Sequence, residues 1–436
     1  MALGGGSFTT MNKIMPGAYI NFVSVGKTAP TIAERGIVAV PMTLDWGQMG
    51  EIIEVEAADF MKRSVDLFGY DYSDAKMKNF RELFRGAKTV MVYRLGTGAK
   101  AASNTYATAN CPGVRGNDIT ISIESSVDDT GKYIVKTKVD GIVYDTQTVA
   151  AAGGLKANAW VTFKSSASLA ATTGTALTGG ENGTVSGTDY QTFLDKLEAY
   201  SFHILVSDVT EKATKALLAA YTKRMRNEVG VKFQCVLYKY DEADDYGVIS
   251  VENSVSDSGA KESALVYWAA GKEAGCPLSS GLANTRYDGE YTVSADYTSK
   301  QLEAALEAGK FVFHRQGSEI RVLDDVNTLV TTTEEVNEEF KNNQVIRVID
   351  QFAGDSARVF ANKYYGKINN TNVGRNALRN DIIKILDEYV KLGAVEEYDP
   401  EDIKVDVGNT KRDVTLAVYI RIAETMSKLY ITAHIG

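Results

Sequence analysis

Two short stretches near the C-terminus constrain this chain more than any other feature. Thr415–Ile422 reads T-L-A-V-Y-I-R-I, with Leu416, Val418, Ile420 and Ile422 on one side and Thr415, Ala417, Tyr419 and Arg421 on the other. Lys428–Ile435 repeats the alternation, setting Leu429, Ile431, Ala433 and Ile435 against Tyr430, Thr432 and His434. A period of two marks a half-buried strand, so both stretches read as strands. The second runs almost to the last residue, where chains fray unless a sheet ties them down. The expectation is that it completes the sheet of a neighbouring copy.

The rest of the chain must supply that sheet. At 436 residues it exceeds what one core holds, and about two or three domains are expected. A net charge of -9 argues against nucleic acid or an anionic membrane as a direct partner, because both need a basic face. No apolar run approaches the roughly 18 residues of a membrane-spanning helix, so no membrane insertion is expected. The opening Met1-Ala-Leu-Gly-Gly-Gly-Ser lacks the basic and apolar regions of a signal peptide, which points to assembly in a cytoplasm. Cys111, Cys235 and Cys276 are far apart, without metal-site spacing, and read as small buried hydrophobes.

In order, residues 1–35 read as an arm broken by Gly and Pro, with one strand at Ala18–Val25 that contains Tyr19, Ile20, Asn21, Phe22 and Val23. That strand either reaches another copy or forms an edge of the chain's own core. Residues 36–96 and 189–310 alternate strands and helices and read as an α/β core. Gly69 and Gly86 stand as helix C-caps, and Asp208-x-x-Glu211 has capping-box spacing. Between the halves, residues 97–188 are rich in Ala, Ser, Thr and Gly and show only short strands, with a hairpin signal at Asp140-Gly141. This segment reads as an inserted β domain projecting from the core, with Gly96-Thr97-Gly98 as a hinge. Residues 311–422 form a C-terminal domain with two long helices, Thr333–Tyr364 (interrupted near Gly354) and Gly374–Leu392, and 423–436 form the closing arm. The fold class is α/β (α+β) and multidomain, a mixed sheet covered by helices with an inserted all-β domain and extended terminal arms.

Catalytic chemistry finds little support. Gly26-Lys27-Thr28 has the tail of a phosphate-binding loop, but Asn21 stands where its first glycine belongs. His203, His314 and His434 fall in three separate strands without metal or triad spacing. Acid pairs such as Asp244-Asp245 and Glu396-Glu397 lie in polar turns and read as solvated surface. No catalytic, cofactor-binding or metal residue is assigned. The alternative, an α/β enzyme with an inserted lid domain, would need a pocket holding paired titratable groups.

Motifs spread along the chain carry a family resemblance. Met15-Pro16-Gly17-Ala18-Tyr19, Leu83-Phe84-Arg85-Gly86 with Val92-Tyr93-Arg94, and Pro112-Gly113-x-x-Gly116-Asn117 resemble segments of contractile phage tail sheath proteins, including the sheaths of phage-tail-like bacteriocins. Ala274-Gly275-Cys276-Pro277-Leu278-Ser279, Asp325-Val326-Asn327-Thr328-Leu329, Ile346-Arg347-Val348-Ile349-Asp350, Tyr365-Gly366-Lys367-Ile368-Asn369-Asn370 and Lys428-Leu429-Tyr430-Ile431-Thr432 extend the likeness over almost the whole chain. One departure is Ala423-Glu424-Thr425-Met426-Ser427, where the family often carries Pro-Val-Asp-x-Met-Glu.

The resemblance implies a structural homo-oligomer, not an enzyme. It implies a helical sheath around a tail tube protein, with baseplate and terminator proteins at its ends, within a virion or phage-tail-like particle assembled in the host cytoplasm and released by lysis. It also implies joining by β-augmentation. The arm residues would be Tyr19, Ile20, Asn21, Phe22 and Val23 at one end and Leu429, Tyr430, Ile431, Thr432 and Ala433 at the other, docking on an acceptor strand with Leu416, Val418 and Ile420. Ala423–Ser427 would be a flexible linker. Contraction of such a sheath would drive the tube into a target cell envelope without a cofactor.

Overall fold

Ile37–Thr43 reads I-V-A-V-P-M-T and is buried on both sides: Val38, Val40 and Met42 join one core cluster, Ala39 another. A strand without a wet face belongs at the centre of a helix-covered parallel sheet. The computed structural model, which describes residues 33–435, places it there. The elements are β1 (Ile37–Thr43), β2 (Ile52–Glu56), α1 (Ala57–Phe68), α2 (Lys78–Leu83), β3 (Thr89–Leu95), β4 (Ala107–Ala109), β5 (Ile119–Ser125), β6 (Tyr133–Val139), β7 (Ile142–Val149), β8 (Val161–Phe163) and β9 (Thr172–Ala176). They continue as α3 (Gly187–Leu197), β10 (Ile204–Val206), α4 (Lys212–Arg224), β11 (Gln234–Tyr238), β12 (Val248–Val251), α5 (Leu265–Gly275), α6 (Ser299–Glu307) and β13 (Lys310–Phe311). The chain ends through β14 (Phe313–Gln316), β15 (Glu319–Val322), α7 (Asn343–Val359), α8 (Asn372–Lys391), β16 (Lys404–Val407) and β17 (Val414–Ala417).

The main sheet has the order β13-β12-β11-β10-β1-β3-β2, all parallel except the edge strand β2. Side chains of α1, α2 and α5 cover one face, and those of α3 and α4 the other. The helix α5 packs against α2 at backbone contact. A Cβ on Gly271 would stand 2.1 Å from the Leu83 carbonyl oxygen, and one on Gly86 would stand 2.3 Å from that of Gly271. Gly86 is therefore required by close approach, not by a left-handed C-cap as the sequence suggested. Gly69, at φ 78°, is the C-cap expected. The capping box expected at Asp208 and Glu211 is absent: Glu211 is the N-cap of α4 but its carboxylate caps no backbone N–H and accepts instead from Thr214 Oγ1 at 3.0 Å, while Asp208 pairs with Lys261 at 2.9 Å. Capping boxes form instead at Ser186 with Asp189 and at Thr298 with Gln301.

The inserted region is all β, with a four-stranded antiparallel sheet β7-β6-β5-β9 beside the pair β4-β8. Asp140 and Gly141, at φ 50° and 80°, make the β6–β7 hairpin turn. The strands β4 and β9 escaped the sequence reading, since A-T-A and T-T-G-T-A carry no apolar alternation. The expected hinge is a paired crossing: Thr97 and Thr184 exchange backbone bonds of 2.9 and 3.0 Å. Buried Arg94 stiffens it by donating to the carbonyls of Leu44, Gly47 and Pro112.

In the C-terminal unit, α7 runs unbroken through Gly354, beginning later than its periodicity suggested and ending in a π turn at Phe360–Tyr364. It packs on α8 through Val348, Val359, Leu378, Ile382, Ile385 and Tyr389.

Candidate assembly surface

The hairpin β16–β17 is a sheet of two strands, paired from Lys404↔Ala417 to Val407↔Val414. Such a hairpin is marginal alone. It rests on α8, whose Arg379 Nε donates to the Ile403 carbonyl at 2.9 Å, and its outer edges pair with no other strand among the described residues. The strand expected over Thr415–Ile422 is shorter in its ladder, stopping at Ala417. Its alternation survives: Val418, Ile420 and Ile422 pack on the C-terminal core while Thr415, Ala417, Tyr419 and Arg421 are exposed. Leu416 is the exception, on the inward side of the pattern yet exposed.

Beyond it the chain is held at discrete points. Ile422 bridges Val395, Glu396 N donates to Arg421 O at 2.9 Å, and Ala423 N donates to Ala394 O at 3.0 Å. Gln344 then grips two residues, its Nε2 donating to Ala423 O at 3.0 Å and its Oε1 accepting from Thr425 N at 3.1 Å. Asn342 Nδ2 donates to Glu424 at 2.7 Å. The linker expected over Ala423–Ser427 is thus anchored as far as Thr425.

Past Thr425 the chain forms no strand. Met426, Leu429, Tyr430, Ile431 and Ile435 are 101, 82, 88, 79 and 98% exposed, and Thr432 and Ala433 are exposed as well. The half-buried strand expected at Lys428–Ile435 has no sheet to bury against among the described residues. The expected N-terminal arm residues Tyr19, Ile20, Asn21, Phe22 and Val23 lie outside the described residues, as does Gly26-Lys27-Thr28.

A buried polar joint, which the sequence reading missed, ties α7 to the α/β core. Arg347, 1% exposed, bonds Glu273 of α5 at 2.8 Å and Asp325 at 3.1 Å, and Arg226 pairs with Asp350 at 2.6 Å. Burial, and then the Asp325 carboxylate, push the Glu273 carboxyl well above its ordinary range, which Arg347 opposes. Burial opposes the Arg347 charge, but the Glu273 and Asp325 carboxylates raise its pKa overall. Arg35 reaches the same joint and is lowered to about 10 by burial and by Arg347. The signal was available: Gln344, Arg347, Gln351 and Asp355 fall in one arc of about 80° on a helix of 3.6 residues per turn.

A cavity of about 800 Å³ opens where β1 and β10 end, at Thr43, Leu44, Asp45 and Asp208. That is where strand order reverses, the usual ligand position in open α/β sheets. Its lysines are each paired with an acid, Lys76 with Asp45, Lys78 with Asp257 and Lys261 with Asp208. Among the described residues no His or Cys lines it. Among the described residues no group of three or more His, Cys, Asp or Glu could hold a metal. His314 is in β14, but His203 precedes β10 and His434 is in the exposed tail, so the expectation of three strand histidines fails for two. Burial and the Arg35 charge lower His203 to about 3. Cys235 and Cys276 are buried, and Cys111 is half-buried.

Four family models tile the chain: tail sheath protein Gp18 domain III N-terminal region over 35–95, the phage tail sheath β-sandwich domain over 95–182, the central domain over 183–328 and the C-terminal domain over 335–436. The class so defined is that of structural proteins of phage tails. The chain belongs to the phage tail sheath family. It is similar to a sheath tail protein from Desulfitobacterium hafniense, at 35% identity and TM-score 0.84 over 95% of this chain and 99% of that one. The phage-like element PBSX protein XkdK of Bacillus subtilis is 29% identical over the full length of both. The anti-feeding prophage helical sheath in its contracted state shares the fold at TM-score 0.55 and 12% identity, over 97% of this chain and 99% of that one.

Proposed function

We propose that this protein polymerises helically around an inner tube as the contractile sheath of a phage or phage-tail-like particle. The terminal segments join copies by β-augmentation. The observation that carries this is an anchored root at Ala423–Thr425 followed by an exposed, alternating tail, in a chain whose β16–β17 hairpin pairs with no other strand among the described residues. Lys428–Ile435 of one copy, together with Ala18–Val25 of another, would extend that hairpin in a third, with Leu429, Ile431 and Ala433 facing the acceptor side chains of Leu416, Val418 and Ile420. The contact is heterologous and does not close, so it builds a helix.

Magnitudes favour assembly through many weak contacts. Burying Leu429, Ile431 and Ile435 contributes about 1.5–3 kcal/mol each. Immobilising a subunit costs roughly 4–15 kcal/mol. One arm is therefore a weak joint, and subunits stay apart until a tube and baseplate hold several together. Contraction then draws on a trapped extended state and needs no nucleotide. The contracted sheath of the anti-feeding prophage, which has this fold, supports the reading. Assembly takes place in the host cytoplasm and release follows lysis, with a terminator capping the far end.

Deleting Leu429–Gly436 tests this by negative-stain microscopy of full-length and truncated protein, with and without tube and baseplate proteins. With tube and baseplate proteins present, full-length protein should form tubes and the truncation should not. Equal tube formation by both would refute augmentation by this segment.

A further inference from the structure

The roots of both terminal segments are held by one buried stripe of one helix. At the C-terminal root, Gln344 clasps Ala423 and Thr425. At the N-terminal root, Gln351 Nε2 donates to Ala33 O at 3.1 Å and its Oε1 accepts from Arg35 at 3.4 Å, while Ala33 N donates to Asp355 at 3.0 Å. Seven residues separate the two glutamines, two helical turns or about 10 Å. Arg347 lies between them and is bonded to Glu273 of the α/β core and to Asp325. Gln344, Arg347, Gln351 and Asp355 are all buried.

We propose that this stripe of α7 is a positioning device. It fixes the two chain roots at a set separation, with Gln344 and Gln351 as the positioning residues and Arg347 locking the helix that carries them. A glutamine amide suits the task because it donates and accepts at once, gripping a backbone C=O and N–H as a strand neighbour would. Leu fills similar space and can do neither. A merely structural stripe would need no contact with either root, yet both glutamines make theirs with main-chain or near-terminal groups more than 70 positions away. The consequence for assembly rests on the augmentation reading above: an outgoing strand reaches a neighbour's edge in register only if its root is fixed.

The test uses full-length Gln344→Leu, Gln344→Glu and Gln351→Leu, followed by amide hydrogen exchange in the unassembled protein and tube formation by microscopy. Losing the two Gln344 backbone bonds should speed exchange across Ala423–Thr425 by about tenfold, leaving α5 and β1 unchanged. Gln344→Glu keeps the acceptor for Thr425 and should show a smaller rise. Gln351→Leu should speed exchange at Ala33–Ile37 and leave Ala423–Thr425 as in the parent. In tube formation, Gln344→Leu should fall below the parent. Uniformly faster exchange through α5 and β1, or unchanged exchange at both roots, would overturn the proposal. Exchange is read without assembly, so failure of the augmentation reading, seen as tubes from the tail-deleted protein, is distinct from failure of this one.

Discussion

Replacing Arg347 by Met tests the buried joint most directly. The guanidinium is 1% exposed and bonds Glu273, itself fully buried, at 2.8 Å and Asp325 at 3.1 Å. Met retains much of the side-chain volume but leaves two carboxylates facing each other in the interior. Breaking a buried pair from one side costs about 3–5 kcal/mol, because the remaining charge is uncompensated. Glu273 can relieve this by taking a proton, since burial and Asp325 already hold its pKa above the ordinary range. A carboxyl raised in the folded state contributes stability below its unfolded pKa and loses it as pH rises towards the folded one, at about 1.4 kcal/mol per pH unit. The Arg347→Met penalty should therefore be largest near about pH 8 and shrink towards about pH 5, and Glu273→Gln in the same chain should restore part of it near about pH 8. Denaturant midpoints of the four proteins of this cycle, followed by circular dichroism, provide the measurement. A penalty independent of pH and not relieved by Glu273→Gln would refute the account of an uncompensated buried carboxylate.

Other consequences are as specific. Gly271→Ala would set a Cβ 2.1 Å from the Leu83 carbonyl oxygen, so α5 and α2 must separate; a loss of about 1–3 kcal/mol or more is expected in thermal unfolding. Ile431→Lys changes a side chain 79% exposed, so unassembled stability should stay within about 0.5 kcal/mol while tube formation falls, as microscopy would reveal. Asp189→Ala removes the acceptor for Ser186 and Thr97 and should cost about 1 kcal/mol in denaturant unfolding. Burial raises the Asp189 carboxyl, but bonds from Thr97 and Ser186 outweigh it and hold the pKa below the usual range. That contribution is present above the unfolded pKa and lost as pH falls through the folded one, so the Ala variant should differ from the parent at neutral pH and converge with it in acid.

What the sequence made legible follows from the range of its signals. Alternation in I-V-A-V-P-M-T, the Asp140-Gly141 turn and the periodicity of Leu378, Ile382, Ile385 and Leu386 are local, and the mixed sheet, the all-β insertion and the long closing helix stand as expected. Gly86 carried the wrong reason because a glycine after a helix looks the same whether it caps that helix or admits another backbone, and only α5 distinguishes them. Asp208 and Glu211 failed as a capping box for a related reason: spacing proposes a cap, but Asp208 was claimed by Lys261 from another part of the chain. The tail shows how far alternation reaches. In Thr415–Ile422 it placed Val418, Ile420 and Ile422 inward although the ladder stops at Ala417, because alternation reports which side finds a core, not how long a strand pairs. In Lys428–Ile435 the same alternation meets no core among the described residues. Gln344 sharpens the contrast, since its grip on Ala423 and Thr425 turns the residues before that tail into a fixed mount. An apolar alternation that begins three residues beyond a fixed mount and meets no core among the described residues fits the pairing with another copy proposed above.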